Sequence, residues 1–210
     1  SAPVLFGRHC VAPVLRDLMR VHPRLEVELS FNDRVVDLLE DGFDVAVRVG
    51  ALADSANLIA RRLGTQHMAI CASPAYLAEH GNPTSVQAMD GHVGIVYGRA
   101  GYDLPWRVRG ADGRIEEPRI KSALRFDDLQ AIADAAVAGI GLAWLPCWLV
   151  ARHVHAGELV LVMDSELVVA SDIHAVWPKM HHLPSKTRVA IDALVAEIPK
   201  MIGVSGAGGR

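Results

Sequence analysis

Histidine pairs are the residues of this chain whose type and spacing most resemble a metal site. His153 and His155 are one residue apart near the end of a predicted helix, so their rings point in different directions, and His181-His182 lie in a predicted loop. No Cys or Glu lies at the spacing that a zinc ligand set requires. We therefore interpret both pairs as surface histidines and expect no metal site.

Two other patterns resemble catalytic or cofactor motifs. His9 and Cys10 are adjacent in a predicted helix, where neighbouring side chains do not face each other as a nucleophile and its base must. Gly139-x-Gly141 lacks the further glycine of a dinucleotide-binding loop, and it follows a helix rather than a strand. We expect no catalytic residue and no cofactor, and we predict that the chain is not an enzyme.

Composition narrows the class of protein. With 210 residues, of which 51% are hydrophobic, the chain can bury one large core or two small ones. Its net charge of −3 predicts no basic surface for nucleic acid. No apolar run is long enough for a membrane span, and no signal peptide is recognisable. The widely spaced Cys10, Cys71 and Cys147 have apolar neighbours, which favours reduced, buried thiols and a cytoplasmic protein.

Alternation and helical spacing predict a mixed α/β chain. The first half is predicted as a helix over 7–21, a strand over 25–31, a helix capped by Asn32 or Asp33, and a strand over 43–49, which together favour a parallel sheet. In the second half, Phe126 to Trp148 is predicted as a capped helix, a glycine turn, a buried strand and a further helix.

Each half is short for a stable sheet, and the last strand and helix lack partners in the second half. We therefore expect two lobes: lobe I from residues 1–72 with 172–200, and lobe II from residues 73–171. Residues 201–210 are expected to form a flexible tail, since GVSGAGGR consists almost entirely of small residues. This arrangement predicts a ligand cleft between the lobes, at the strand ends where open α/β sheets bind ligands.

Several segments, in order, resemble one protein family over nearly the whole chain. They are SAPVLFGRHCVAPVL, HPRLEVELSFNDRVVDLLEDGFDVAVRVG, CASPAYLAEHG, AAVAGIGLAWLP and GELVLV followed by IHAVWP. Together they resemble the effector-binding domain of LysR-type bacterial transcriptional regulators, and most of all the subgroup related to the glycine-cleavage activator. Residues 98–118 are the part least like the family.

The resemblance implies a periplasmic-binding-protein-like fold (type 2) of two Rossmann-like lobes that binds a small-molecule effector. It also implies a winged helix-turn-helix DNA-binding domain before Ser1, absent from this chain, and a homodimer or tetramer in which lobes of two subunits pack side by side. DNA would bind through that missing domain and not through this segment, and no membrane is involved. The alternative is a stand-alone periplasmic-type solute-binding protein with the same fold.

The family's pocket, carried onto this sequence, gives twelve candidate effector contacts. They are Val4, Leu5, Phe6, Asn32, Asp33, Arg48, Val49, Tyr97, Gly98, Phe126, Asp127 and Trp177. The set combines predicted helix N-termini with one arginine, which favours a carboxylate or amino-acid-like effector. Asn32, Asp33 and Asp127 could equally be helix caps. Arg48 interrupts the apolar strand VAVRV, which favours a role at the pocket over a structural ion pair.

Overall fold

A computed structural model describes residues 1–99, 102–110, 112–163 and 169–203. The chain divides into two units, unit 1 from Ser1–Gln66 together with the chain from Ser171, and unit 2 from His67–Ala170. The sequence-based division differs at the first crossing, because it assigned residues 68–72 to lobe I, whereas the strand formed by these residues pairs within unit 2. The tail prediction falls on residues 204–210, outside the described residues, except that the last helix extends to Ile202.

Helices and strands alternate along both units. The α-helices are α1 (Val4–Phe6), α2 (Ala12–Val21), α3 (Pro74–His80), α4 (Leu129–Val137), α5 (Cys147–His155) and α6 (Ser185–Ile202). A π-helical segment, Gly7–Val11, joins α1 to α2, and Gln87–Met89 form a single 3-10 turn. The strands are β1 (Ala46–Val49), β2 (Leu58–Gln66), β3 (Met68–Ala72), β4 (Val93–Arg99), β5 (Tyr102–Asp103), β6 (Val108–Arg109), β7 (Ile115–Glu116), β8 (Lys121–Phe126), β9 (Leu142–Pro146), β10 (Val160–Val162) and β11 (Ser171–Pro178).

The sheet of unit 1 has the order β1-β11-β2, and all of its pairs are antiparallel. Backbone hydrogen bonds extend it beyond β1. Ser1 bonds to the carbonyl of Val45 through its N-terminal ammonium and accepts from the N–H of Val47, both at 2.8 Å, in the pattern of a parallel pair. Ala2 in turn forms a parallel bridge with Phe31. Across the sheet the order is therefore Phe31, Ser1-Ala2, β1, β11, β2.

Two sequence predictions in this unit are wrong. Residues 25–31 contribute one bridge at Phe31 rather than a strand. No helix follows Asn32 or Asp33, because Asp37 accepts hydrogen bonds from the N–H groups of Leu39 and Glu40 and starts a turn there. Gly42, with φ of 72°, ends the segment within one further turn. The initial helical segment was predicted correctly, and it buries Val11, Val14 and Leu15.

The sheet of unit 2 repeats the same order. Strand β4 pairs in parallel with β8 on one side and with β9 on the other, β9 pairs antiparallel with β3, and β3 with β10. The order β8-β4-β9-β3-β10 therefore matches Phe31, Ser1-Ala2, β1, β11, β2 strand for strand. In both units the fourth strand is antiparallel to its neighbours. In unit 1 this strand, β11, returns from beyond unit 2 in sequence, whereas in unit 2 it is the first strand, β3.

The stretch from Phe126 to Trp148 folds largely as predicted. Asp128 caps α4 by accepting a hydrogen bond from the N–H of Ala131 at 2.7 Å. Gly139 adopts a φ of 82° after the helix, and Ile132, Ala133 and Ala136 are fully buried. Strand β9 then follows and ends at Pro146, which is the N-cap of α5 rather than its first helical residue.

Residues 98–118, the part least like the family, contain a hairpin of β6 and β7, which pair antiparallel. Gly113 lies between the two strands and has a φ of 79°. Trp106 and Val108 pack into the core of unit 2 beside Met68 and Ile70, so this segment is anchored by apolar burial. Among the described helices, none is long and apolar enough to cross a membrane.

Candidate functional site

In unit 1 the candidate residues gather at the carboxyl ends of the parallel strands. Val4, Leu5 and Phe6 follow Ser1-Ala2, Asn32-Asp33 follow Phe31, and Arg48-Val49 end β1. Because parallel neighbours end at the same edge of a sheet, these three groups share that edge, which is where open α/β sheets bind ligands. The side chains of Leu5 and Phe6 are buried in the core, so only their backbone could contact a ligand.

Asp33 and Asn32 hold the neighbouring strand end in place. The N–H of Val4 donates to Asp33 Oδ1 at 2.9 Å, so this carboxylate caps the N-terminal helical segment instead of a second helix. The N–H of Asn32 donates to the carbonyl of Ala2 at 2.9 Å, and the N–H of Arg34 donates to Asn32 Oδ1 at 2.8 Å. The Asn32 side chain keeps its NH₂ donors for other partners.

Arg48 is partly buried near the end of β1. Its Nη2 donates to the carbonyl of Val36 at 2.9 Å, which ties the irregular segment after Asp33 to the sheet. Its cross-strand neighbour on β11 is His174. Val49 lies opposite Ile173 and shares a sheet face with the buried Val47.

Trp177 does not join this group. In the register of β1 and β11, Val49 lies opposite Ile173, whereas Ala46 lies opposite Val176. Trp177 is therefore next to the amino end of β1, about 10 Å along β11 from His174. It is also buried, with 9% of its surface exposed, so we assign it to the core of unit 1 rather than to the site.

In unit 2 the candidates occupy the equivalent strand ends. Tyr97, two residues before the end of β4, is in register with Phe126 at the end of β8, and Gly98 and Asp127 directly follow them. A Cβ at Gly98 would lie 2.5 Å from Asp103 Oδ1 and 2.7 Å from Arg125 Cδ, so any other residue would displace that ion pair. Arg125 also holds the pKa of Asp103 below its ordinary value, chiefly through hydrogen bonding. Asp127 is exposed, whereas its neighbour Asp128 caps α4.

The thiols are unsuited to nucleophilic chemistry. Burial raises the pKa of Cys10 and of Cys71 to about 12, so both are protonated at neutral pH. All three cysteines are free thiols, as predicted, but Cys147 is only partly buried. Its burial also raises its pKa.

One histidine prediction is wrong. His153 is buried rather than on the surface: its Nδ1 lies 2.7 Å from Glu158 Oε2, and its Nε2 accepts from Arg152 at 3.2 Å. The apolar spacing of Leu149, Val150 and His153 on one helix face was the signal for this burial. His155, His181 and His182 are exposed, and no group of three metal-ligating residues occurs among the described residues.

Sequence reasoning also missed residues of β11. The carboxylate of Asp172 accepts hydrogen bonds from Arg62 Nε and Thr65 Oγ1, both at 2.8 Å, and these bonds, first that of Arg62, lower its pKa. His174 follows two residues later on the same strand. The signal was present in DIHAVW, where two polar residues alternate with apolar ones at the start of a buried strand.

Comparison with known proteins identifies the family. A family model described as "LysR substrate binding domain" matches residues 1–199. An uncharacterised HTH-type transcriptional regulator of Haemophilus influenzae is 34% identical over 89% of this chain and 64% of its own length. The Escherichia coli HTH-type transcriptional regulator DmlR is 30% identical over 90% of this chain and 61% of its own length. The chain thus spans less than two thirds of either relative.

Solved structures agree in fold. The full-length structure of AphB, a virulence activator of Vibrio cholerae described as a member of the LTTR family, has a TM-score of 0.79 at 25% identity, over 93% of this chain and 66% of that one. The regulatory domain of CrgA from Neisseria meningitidis, at 24% identity, has a TM-score of 0.80 and covers 94% of this chain and 96% of its own. With two units of the same mixed α/β sheet order and a family match over residues 1–199, the chain belongs to the LysR substrate-binding domain family.

Proposed function

We propose that this chain is the effector-binding domain of a bacterial transcriptional regulator, and that the parallel strand ends of its units bind a small metabolite. One observation carries the proposal. In both units an aromatic residue at a strand end is followed by a polar residue and then an aspartate that caps a helical segment, in Phe31-Asn32-Asp33 and in Phe126-Asp127-Asp128. This repeat holds Asn32 and Asp127 at equivalent strand ends.

The chemistry of these positions supports a small polar effector. Unit 1 offers the amide of Asn32 and the guanidinium of Arg48, while unit 2 offers the exposed carboxylate of Asp127 beside Tyr97 and Phe126. A carboxylate or amino-acid-like metabolite would find a donor set in unit 1. The carboxylate in unit 2 would accept hydrogen bonds from an ammonium or hydroxyl group of a metabolite bound at that strand end.

The remaining proposals concern the longer protein. We propose that a winged helix-turn-helix domain precedes this segment and binds DNA, that the protein acts in the cytoplasm as a homodimer or tetramer, and that it belongs to the glycine-cleavage-activator-like subgroup. Effector binding would favour one conformation over another, and subunit packing would transmit that bias to the DNA-binding domains. Both relatives described above are HTH-type regulators, which does not favour a stand-alone solute-binding protein.

A ligand screen tests the proposal directly. We expect members of a panel of small acids, amino acids and aromatic metabolites to raise the melting temperature of the chain, since ligands of the folded state stabilise it. Arg48→Ala and Asn32→Ala should each weaken calorimetric binding of the hit about tenfold, with circular dichroism unchanged. Arg114→Ala, on the exposed β6–β7 turn, is the control. Wild-type affinity in both strand-end variants would remove this edge as the effector site.

A further inference from the structure

A row of three basic residues crosses the sheet of unit 1 beside the proposed effector site. Arg48 on β1 lies opposite His174 on β11, and His174 lies opposite Arg62 on β2. Residues directly opposite each other in antiparallel strands project to the same face, so the three side chains stand side by side. The adjacent row on that face is apolar, with Ala46, Val176 and Ala60 in register.

The two arginines in the row differ in their partners. Arg62 is exposed and donates to the carboxylate of Asp172 at 2.8 Å, so its charge is balanced. Arg48 is partly buried and donates to the neutral carbonyl of Val36, and the described residues provide it with no carboxylate partner. A guanidinium withdrawn from water without a counter-ion is unfavourable, so Arg48 is the basic residue of the row that still needs an anion.

His174 carries a second unmet requirement. Its Nδ1 is fully buried and has no hydrogen-bond partner among the described residues, although almost all buried polar atoms in folded proteins are paired. The neighbouring guanidinium groups are donors only, and the carboxylate of Asp172, two residues away, is already engaged by Arg62 and Thr65. An acceptor next to Arg48 would serve both groups if His174 carries its proton on Nδ1.

We infer that Arg48 and His174 together bind an oxyanion of the effector, with Arg48 donating through its guanidinium and His174 through Nδ1–H. Because Nδ1 is fully buried in this structure, binding requires the side chains that cover it to move aside. This inference rests on the proposed function and assigns the charged group of the effector to unit 1. Arg62 is held by Asp172 and makes no ligand contact. Carboxylates and phosphates both match the arginine fork, so the shared chemistry is a planar or tetrahedral oxyanion that accepts two or more hydrogen bonds.

Titration with two anions and one neutral molecule distinguishes a carboxylate, a phosphate and an uncharged ligand. Sodium benzoate, inorganic phosphate and benzamide, the neutral amide counterpart of benzoate, would be titrated into the 210-residue chain, with binding followed by calorimetry and by NMR shifts of the His174 ring. We expect one of the anions to bind and shift the His174 signals, while benzamide binds at least about tenfold more weakly. The preferred anion then distinguishes a carboxylate from a phosphate effector.

Variants distinguish a ligand contact from a structural role. His174→Leu should weaken anion binding about tenfold without lowering the melting temperature, because it removes a buried atom that lacks a partner. Arg48→Lys keeps the positive charge but removes the planar pair of guanidinium N–H donors, so it should weaken anion binding by a similar factor. The matched control is Arg61→Ala, next to Arg62 on the opposite face of β2 and paired with Asp192, which should bind like the wild type.

Each outcome is decisive. The inference is overturned if neither anion shifts His174, if benzamide binds as tightly as benzoate, or if His174→Leu lowers stability and leaves anion affinity unchanged. The proposed function fails separately. If a neutral metabolite binds through Asn32, the effector-binding function stands and the oxyanion site is rejected. If an anion binds at His174 and its affinity is unaffected by Asn32→Ala, the oxyanion site stands and the proposed strand-end effector site is rejected.

Discussion

Units 1 and 2 build the same five-strand order from different local structure, and the difference lies in the segment after the second strand. In unit 2, Asp128 caps α4 at its own strand end, and the helix runs to Val137 before Gly139. In unit 1, Asp33 at the equivalent position accepts a hydrogen bond from the N–H of Val4 instead, and the next capping residue is Asp37. Gly42 then ends the segment before a helix can form.

This contrast shows which features the sheet requires. Both units keep the strand order, the aspartate at the strand end and a positive-φ glycine before the third strand. Only unit 2 keeps the helix. In unit 1 the segment is held instead by the burial of Leu38 against Ala46 and Val176 and by the bond from Arg48 to Val36. A shifted cap therefore changes local structure without changing topology, because the sheet is held by its strand pairing.

The largest loss of stability is expected from substituting Gly141 of unit 2, a glycine that has no counterpart in unit 1. A Cβ at Gly141 would lie 2.5 Å from the carbonyl oxygen of Val93, so Gly141→Ala must separate β4 from the turn before β9. We expect the free energy of unfolding in urea to fall by about 3 kcal/mol. In unit 1 the position two residues after Gly42 is Asp44, which is exposed and pairs with Lys186.

Gly42→Ala is the matched control for that substitution. No atom lies within 4 Å of a Cβ at Gly42, and only its φ of 72° is unfavourable for alanine. A loss of about 1 kcal/mol is expected. Equal losses of stability for the two variants would mean that the close approach of the Val93 carbonyl to Gly141 is not what makes this position sensitive.

Removing either strand-end aspartate should lower stability by an intermediate amount, and the two variants should loosen different segments. Asp128→Ala leaves the N–H of Ala131 without its acceptor and should lower stability by about 1 kcal/mol. Asp33→Ala should cost a similar amount but fray the N-terminal helical segment at Val4. Hydrogen exchange of individual amides measures both changes, and increased exchange in α4 caused by Asp33→Ala would contradict the separation of the two caps.

The smallest effect concerns pH and is confined to unit 2. Tyr76 accepts from the N–H of Val93 at 3.0 Å and contacts His92 Nδ1 at 3.1 Å, so its hydroxyl proton needs that nitrogen unprotonated. Burial, followed by repulsion from His80, lowers the pKa of His92 below 6.5. The folded state binds this proton less readily than the unfolded state, so stability is fully present above about pH 6.5 and decreases as pH falls below it.

Urea unfolding at a series of pH values measures that slope. His92→Gln should reduce the loss of stability just below pH 6.5. His92→Gln should not change the separate loss of stability that occurs as pH falls below about 3.8. That loss comes from protonation of Asp103 and Asp172, whose pKa values are lowered in the folded state. An unchanged profile just below pH 6.5 in this variant would assign the slope to another histidine.

Sequence patterns predicted the fold class and most elements, and they failed where two signals competed. The stretch from Asp128 to Pro146 was predictable because cap, apolar spacing and glycine agreed with one another. Residues 32–42 were not, because Asn32, Asp33 and Asp37 are all capping residues and only tertiary contacts select among them. Cross-strand register, which separates Trp177 from Arg48 and aligns His174 with it, depends on pairing between residues far apart in sequence.

Each unit contains one buried thiol whose reactivity depends on the opening of that unit. Cys10 lies in unit 1 and Cys71 in unit 2, both inaccessible and both with a pKa of about 12. A thiol reagent can modify either one only after local or global opening exposes it. The rates at which these two cysteines are alkylated under native conditions would therefore measure the opening free energy of each unit separately, without any introduced probe. An effector that stabilises one unit more than the other would slow one rate selectively.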